Sequence, residues 1–220
     1  MTIGVGGKNA EQALATLSDM TQDIKPISVA EYQQRIDKAQ RLMTQHGIDA
    51  IYLNAGTNLY YFTGTRWYAS ERMVGAILPA QGNLTYIAPH FEVDTLTLYM
   101  AVKSDVVAWH EHECPYQLFV NTLANMGIKE GRVGIDESTA FFITNGIEEK
   151  SNSLSLVSAK AITAGCRMQK STNEIHLLQR AKDMTMAVHK AVAQILRESI
   201  STQEVTQFID QAHRKVGAKS

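Results

Sequence analysis

Only two cysteines, Cys114 and Cys166, occur in 220 residues, and they stand far apart. That is too few for a disulfide framework and suits a reducing, cytoplasmic compartment. No charge of one sign dominates: 21 basic residues face 22 acidic ones, a formal net charge of −1. Nothing electrostatic therefore calls for nucleic acid or an anionic membrane as partner. No apolar run approaches the roughly 18–20 residues of a membrane span, and the N-terminus lacks the basic-then-apolar order of a secretory signal. There is no GxSxG elbow, and neither cysteine has an activating base nearby in sequence. GVGGK at 4–8 lacks the GxxxxGK[ST] spacing and a preceding strand, so a flexible end is expected rather than a phosphate loop. Internal repeats and low-complexity tracts are absent too. What remains, 45% hydrophobic and 20% charged residues, is the composition of a folded chain of one large or two small domains.

The strongest local signals lie near the end. Ser171 precedes Glu174 by three residues, a capping box, and Leu177, Ala181, Met184, Val188, Ala191 and Ile195 follow as one helical stripe. Ser201 and Glu204 repeat the box ahead of Val205, Phe208, Ile209, Ala212 and Val216. Two amphipathic helices are predicted, and most of the surface they would cover is expected beyond Ser220.

Before them, 29–160 alternate helix and strand. Val29–His46 reads as a helix with Tyr32, Ile36, Ala39 and Met43 on one face, stopped by Gly47. Strands are expected at Asp49–Asn54, Met73–Pro79, Leu84–Ala88, Asp105–Trp109, Arg132–Asp136 and Leu154–Ser158, the second and third joined in a hairpin by AQGN. Helices are expected at Glu92–Ala101, Pro115–Met126 and Ala140–Lys150. This order implies an α/β domain with a mixed sheet flanked by helices. A short helix is allowed in the arm 1–28 by Ala10, Ala13, Leu14, Leu17 and Met20.

Candidate chemistry is sparse. His110-Glu111-His112-Glu113-Cys114 has its histidines two apart, whereas helical zinc sites use three or four, so a solvated turn with capping carboxylates is the expectation. Asp136-Glu137 is read as a cap for the next helix. His46, His176, His189 and His213 read as surface residues, and His90 as a turn residue. Arg66, Trp67, Tyr68 and Arg72 form the densest aromatic–cationic cluster, which suits either a self-packed loop or an interface.

Asn58-Leu-Tyr-Tyr-Phe-Thr-Gly64 has the N-x-x-Y-x-T-G pattern, and Arg167-Met-Gln-Lys-Ser-Thr-Asn-Glu-Ile175 the R-x-x-K-S-x-x-E-I pattern. In this order, about a hundred residues apart, they make 29–216 resemble the N-terminal half of the creatinase/prolidase/aminopeptidase P family. SER at 70–72 resembles the Xaa-Pro dipeptidase and aminopeptidase branch. The resemblance implies an arm at 1–28, a creatinase N-terminal-type α/β domain at 29–165, and at 166–220 a linker with the first two helices of a pita-bread catalytic domain. It further implies hydrolysis of Xaa-Pro bonds in proline-containing peptides by a hydroxide bridging two divalent ions, Mn or Zn. The ligands, two Asp, one His and two Glu, would fall beyond residue 220, so no catalytic or metal residue is expected within it. Such ions polarise the carbonyl and acidify the water between them. The resemblance also implies a homodimer, with Trp67 and Arg72 shaping the substrate pocket of the neighbouring subunit. A stand-alone binding or dimerisation module and a creatinase-like amidinohydrolase are the alternatives.

Overall fold

The computed structural model describes residues 2–218. In chain order it begins with α1 (Ala10–Leu14), α2 (Val29–His46), β1 (Ala50–Asn54), α3 (Thr57–Thr63) and β2 (Gly75–Pro79). There follow β3 (Thr85–Pro89), a 3-10 turn at His90–Glu92, α4 (Val93–Tyr99), β4 (Val106–Trp109) and α5 (Pro115–Asn125). The last elements are β5 (Gly131–Ile135), α6 (Phe141–Glu148), β6 (Leu154–Ser158), α7 (Lys160–Arg167), α8 (Thr172–Ile195) and α9 (Thr202–Lys215). Two compact units result: 27–169 form one, and 1–26 with 170–220 the other.

In the first unit the strands run in the order β4-β3-β2-β1-β5-β6. β1, β2 and β3 pair antiparallel, while β3–β4, β1–β5 and β5–β6 are parallel. The expected mixed sheet is present, with its hairpin at the AQGN turn. β1 is buried along its whole length, as a central strand covered on both faces must be. Side chains alternate across it. Ile51 and Leu53 pack with Ile36 and Met43 of α2, Phe62 of α3 and Ile162 of α7. Tyr52 faces the other way, with Phe119 and Leu123 of α5 and Ile143 and Ile147 of α6. Its ring meets Phe119 edge-on at 5.6 Å.

β2 starts at Gly75, two residues later than expected; a Cβ there would lie 2.3 Å from the Leu53 carbonyl oxygen. The helix expected at Glu92–Ala101 is shorter, preceded by the 3-10 turn. α3 and α7 were not anticipated from pattern.

In the second unit, the arm proves to be structured. Asn9 and Gln12 close a capping box on α1. Ala13 is buried among Met184, Val188, Ala191, Ile195, Phe208, Ala212 and Val216, with Leu14, Leu17, Met20 and Ile24 packed around them. The stripes of α8 and α9 are thus covered, over Met184–Ile195 and Phe208–Val216, by each other and by residues that precede α2, which corrects for those stretches the expectation that their cover lies beyond Ser220; Ala181 stays exposed and Leu177 and Val205 are partly so. Short range explains why: stripes of small residues such as Ala191 and Ala212 let thin elements approach closely. Gly4 and Gly6 of GVGGK serve the same packing. A Cβ on Gly4 would stand 2.3 Å from the Gln194 carbonyl oxygen, and one on Gly6 2.4 Å from the Gln194 Cα. Val5 N–H donates to the Leu196 carbonyl at 2.7 Å. Ile175, Leu178 and Met186 of α8 stay about half exposed.

Candidate functional site

The sheet delivers a loop, 65–72, beside α4. Its first residue is anchored: Thr65 is buried, its N–H donates to Thr63 Oγ1 at 3.2 Å, and its hydroxyl lies 3.1 Å from the Tyr86 hydroxyl. Burial pushes the Tyr86 phenol up, keeping it neutral for this bond. Beyond that anchor the loop turns outward. Trp67 is half-buried, its ring edge-on to Tyr99 of α4 at 6.2 Å. Tyr68 is 81% exposed, next in the same region to Leu98 at 83%, Phe91 at 60% and Tyr99 at 56%. Arg66 lies over the Tyr60 ring, 5.2 Å from its centroid.

Arg72 is held rather than free. Its Nε and Nη2 donate to the Glu111 carboxylate at 3.3 and 3.4 Å, it pairs with Glu71, and it lies over Phe91 at 5.4 Å. The bond to Glu111 raises the guanidinium further above its ordinary value. Glu92 sits in the same charge group, and one of its carboxylate oxygens is buried without a hydrogen-bond partner among the described residues. Burial raises its pKa; Arg72 offsets part of that. The two candidate residues therefore do different things. Trp67 is a packing anchor for the loop, and Arg72 ties β2's approach to the turn after β4.

That turn carries the histidines. Parallel pairing of Pro89 with Trp109 sets the next residues side by side, so His90 stacks on His110 with centroids 4.3 Å apart. His112 extends the column at 5.8 Å. Stacked rings present their faces to each other, not converging nitrogens. Among the described residues no group of three or more His, Cys, Asp or Glu is placed to hold a metal ion. The residues present therefore do not fit the dinuclear centre that the resemblance implies. Glu113 caps the turn by accepting from the His110 N–H at 2.7 Å, which lowers its pKa.

Asp136 corrects another expectation. α6 is capped by Ala140 without a side-chain bond, and the buried Asp136 carboxylate instead accepts from Asn58 Nδ2, Ser138 N–H and Ser138 Oγ. Cys166 is buried and its thiol is pushed up, so it is no nucleophile. Phe91, Leu98 and Tyr99 were missed from sequence. Their signal was faint: LTLY at 96–99 holds more apolar residues than one helix face can bury.

A profile of the Creatinase/Prolidase N-terminal domain matches residues 35–169. A Staphylococcus aureus (strain MRSA252) uncharacterized peptidase is 22% identical over 183 residues, 83% of this chain and 50% of its own length. Among solved structures, a recombinant prolidase from Thermococcus sibiricus superposes with a TM-score of 0.74 at 24% identity, covering 85% of this chain and 50% of its own. The dipeptidase PepE from Mycobacterium ulcerans gives 0.72 at 23%, covering 86% and 50%. These likenesses show the fold, and the chain spans about half the length of the curated relatives it matches. No helix among the described residues is long and apolar enough to cross a membrane. By its α/β unit, the chain belongs to the creatinase/prolidase N-terminal domain family.

Proposed function

We propose that this chain is the N-terminal part of a cytoplasmic Xaa-Pro metallopeptidase, serving homodimer formation and the shaping of a pocket for proline-containing peptides. The observation that carries the reading is the outward surface of 65–72 and α4. Tyr68 offers a large apolar anchor on a loop pinned at Thr65 and braced by Trp67 and Arg72, and Phe91 of the 3-10 turn with Leu98 and Tyr99 of α4 offer three more. Rigid aromatic and arginine side chains are the residue types that dominate interface energetics. The half-exposed Ile175, Leu178 and Met186 of α8 agree with a further part of the polypeptide that supplies the two Mn or Zn ions and their ligands. Hydrolysis belongs to that part in this reading, and this chain alone is inactive.

Light scattering tests the association. Wild type should be dimeric, and Tyr68→Ser should shift it toward monomer; a wild-type monomer at about 100 µM, an association weaker than roughly 5.5 kcal/mol, would refute dimerisation. Titration with Mn²⁺ tests the rest: tight binding of two ions by this chain would overturn the assignment of the metal to another part.

A further inference from the structure

The N-x-x-Y motif lies on α3, where a spacing of three puts Asn58 and Tyr61 on one face. Both reach the last turn of α7. The Asn58 carboxamide accepts from Arg167 Nη1 at 2.9 Å and donates from Nδ2 to Asp136 Oδ1 at 3.0 Å. The Tyr61 hydroxyl donates to the Cys166 carbonyl at 3.0 Å, and Lys38 Nζ of α2 reaches the same oxygen at 3.3 Å. Tyr61 is itself fixed: Arg35 lies over its ring at 4.2 Å and donates to its carbonyl at 2.7 Å. Asn58 and Asp136 are 3% and 1% exposed.

α7 needs such holding. It has eight residues and no side-chain cap at its start, too short to persist on its own. It is also the last element of the α/β unit, which ends at Gln169. We infer that Asn58 and Tyr61 form a clamp on the end of α7 that fixes where the polypeptide leaves the α/β unit. Asn58 and Tyr61 of the N-x-x-Y segment and Cys166 and Arg167 at the end of α7 are then two halves of one joint within the α/β unit. The remaining pattern fits: Thr63 Oγ1 donates back to the Leu59 carbonyl at 2.7 Å, and Gly64 closes α3 in the left-handed region, where a Cβ would meet Ala101 at 2.6 Å.

The orientation of the Asn58 amide is dictated by its partners, since only its oxygen can accept from arginine and only its nitrogen can donate to aspartate. This makes Asn58→Asp diagnostic. It keeps the shape and the arginine contact but sets a carboxylate against Asp136. Tyr61→Phe removes one hydroxyl and little else.

Native-state hydrogen exchange on the 220-residue chain separates a clamp from general support. Tyr61→Phe should speed exchange of the α7 amides Thr163 and Met168 about fivefold, the size of one lost neutral hydrogen bond. Asn58→Asp should speed it at least about fiftyfold, because the buried Asp136 carboxylate loses one of its three donors and gains a like charge beside it. In both, Ile51 and Ile77 in the sheet should change several times less, and trypsin should cut after Arg167 faster by a similar factor. Unchanged α7 exchange in Tyr61→Phe would overturn the clamp. So would α7 and sheet exchange rising in step, which would make these residues ordinary core members. Should Asn58→Asp fail to fold, Tyr61→Phe alone decides.

Discussion

The two units of this chain are specified by different means. In the helical one, all three helices open with a capping box: Asn9 with Gln12, Ser171 with Glu174, Ser201 with Glu204. In the α/β unit only α2 does; α3, α4, α5, α6 and α7 start without a side-chain cap bond. Their boundaries come from glycines, from proline at the start of α5, and above all from packing on two sheet faces. The helical unit instead has one thin core in which alanines alternate with Met184, Val188, Ile195 and Phe208. Local signals fix one unit, non-local contacts the other.

The largest test of that contrast is core truncation. Phe62→Ala in the α/β unit should lose about 3–5 kcal/mol in denaturant unfolding, because its completely buried site is closed in on all sides. Phe208→Ala should sit at the lower end of that range, since partly exposed neighbours such as Ile200 and Ile209 can collapse into the space. A larger loss at Phe208 would break the comparison.

Next comes the arm. Gly6→Val drives a side chain into the Gln194 backbone, which cannot step aside as a side-chain tip could. A loss of about 1–3 kcal/mol is expected, with faster exchange at Val188–Ile195 and none at β1. No change would mean that the arm contributes nothing to the helical core.

Caps should then act asymmetrically. Ser201→Ala should lose about 1 kcal/mol. Ala140→Asp, placed where α6 has extended cap geometry but no bond, should gain about 0.5–1 kcal/mol. If the α6 change gained nothing, its start would be set by packing alone.

The smallest effect is electrostatic. The Glu92 pKa is raised by burial, so the folded state holds its proton more tightly than the unfolded chain. Its favourable contribution is therefore present at pH below the unfolded value and fades as pH rises through the folded one. Glu92→Gln should stabilise at pH 7 by about 0.5 kcal/mol or less and by nothing at pH 4. A gain equal at both pH values would assign the effect to something other than charge.

This division also explains what could be read from residues alone. α8 and α9 announce themselves through Ser171 and Ser201, α2 through its apolar face and Gly47, and the β2–β3 hairpin through its AQGN turn. α3 does not, because Tyr60, Tyr61, Phe62 and Thr63 are strand-favouring types and its caps are two glycines with positive φ. α7 lacks a cap and is held by burial of Ile162 and Cys166 together with bonds from Lys38, Asn58 and Tyr61, all distant in sequence. At the candidate site, Trp67 and Arg72 stand out as residue types. Their partners Tyr99 and Glu111 do not, since the sheet brings them from α4 and from the turn after β4. The cover that the arm gives α8 and α9 is hard to read because Ala13, Leu14, Leu17 and Met20 make only a brief pattern.

The position of β1 in the sheet has a consequence for synthesis. It can pair with β2 as soon as the hairpin emerges, but its other edge waits for β5, since Ala50 finds Val133 there. During that interval the ribosome has released AIYLN, a strand without charge, proline or glycine, with one row of backbone groups open. Unprotected edges of this kind recruit other chains. A nascent chain stalled before Gly131 should therefore be the form that chaperones hold most tightly, and release of β5 should end that hold; equal chaperone retention before and after β5 would show that another edge is responsible.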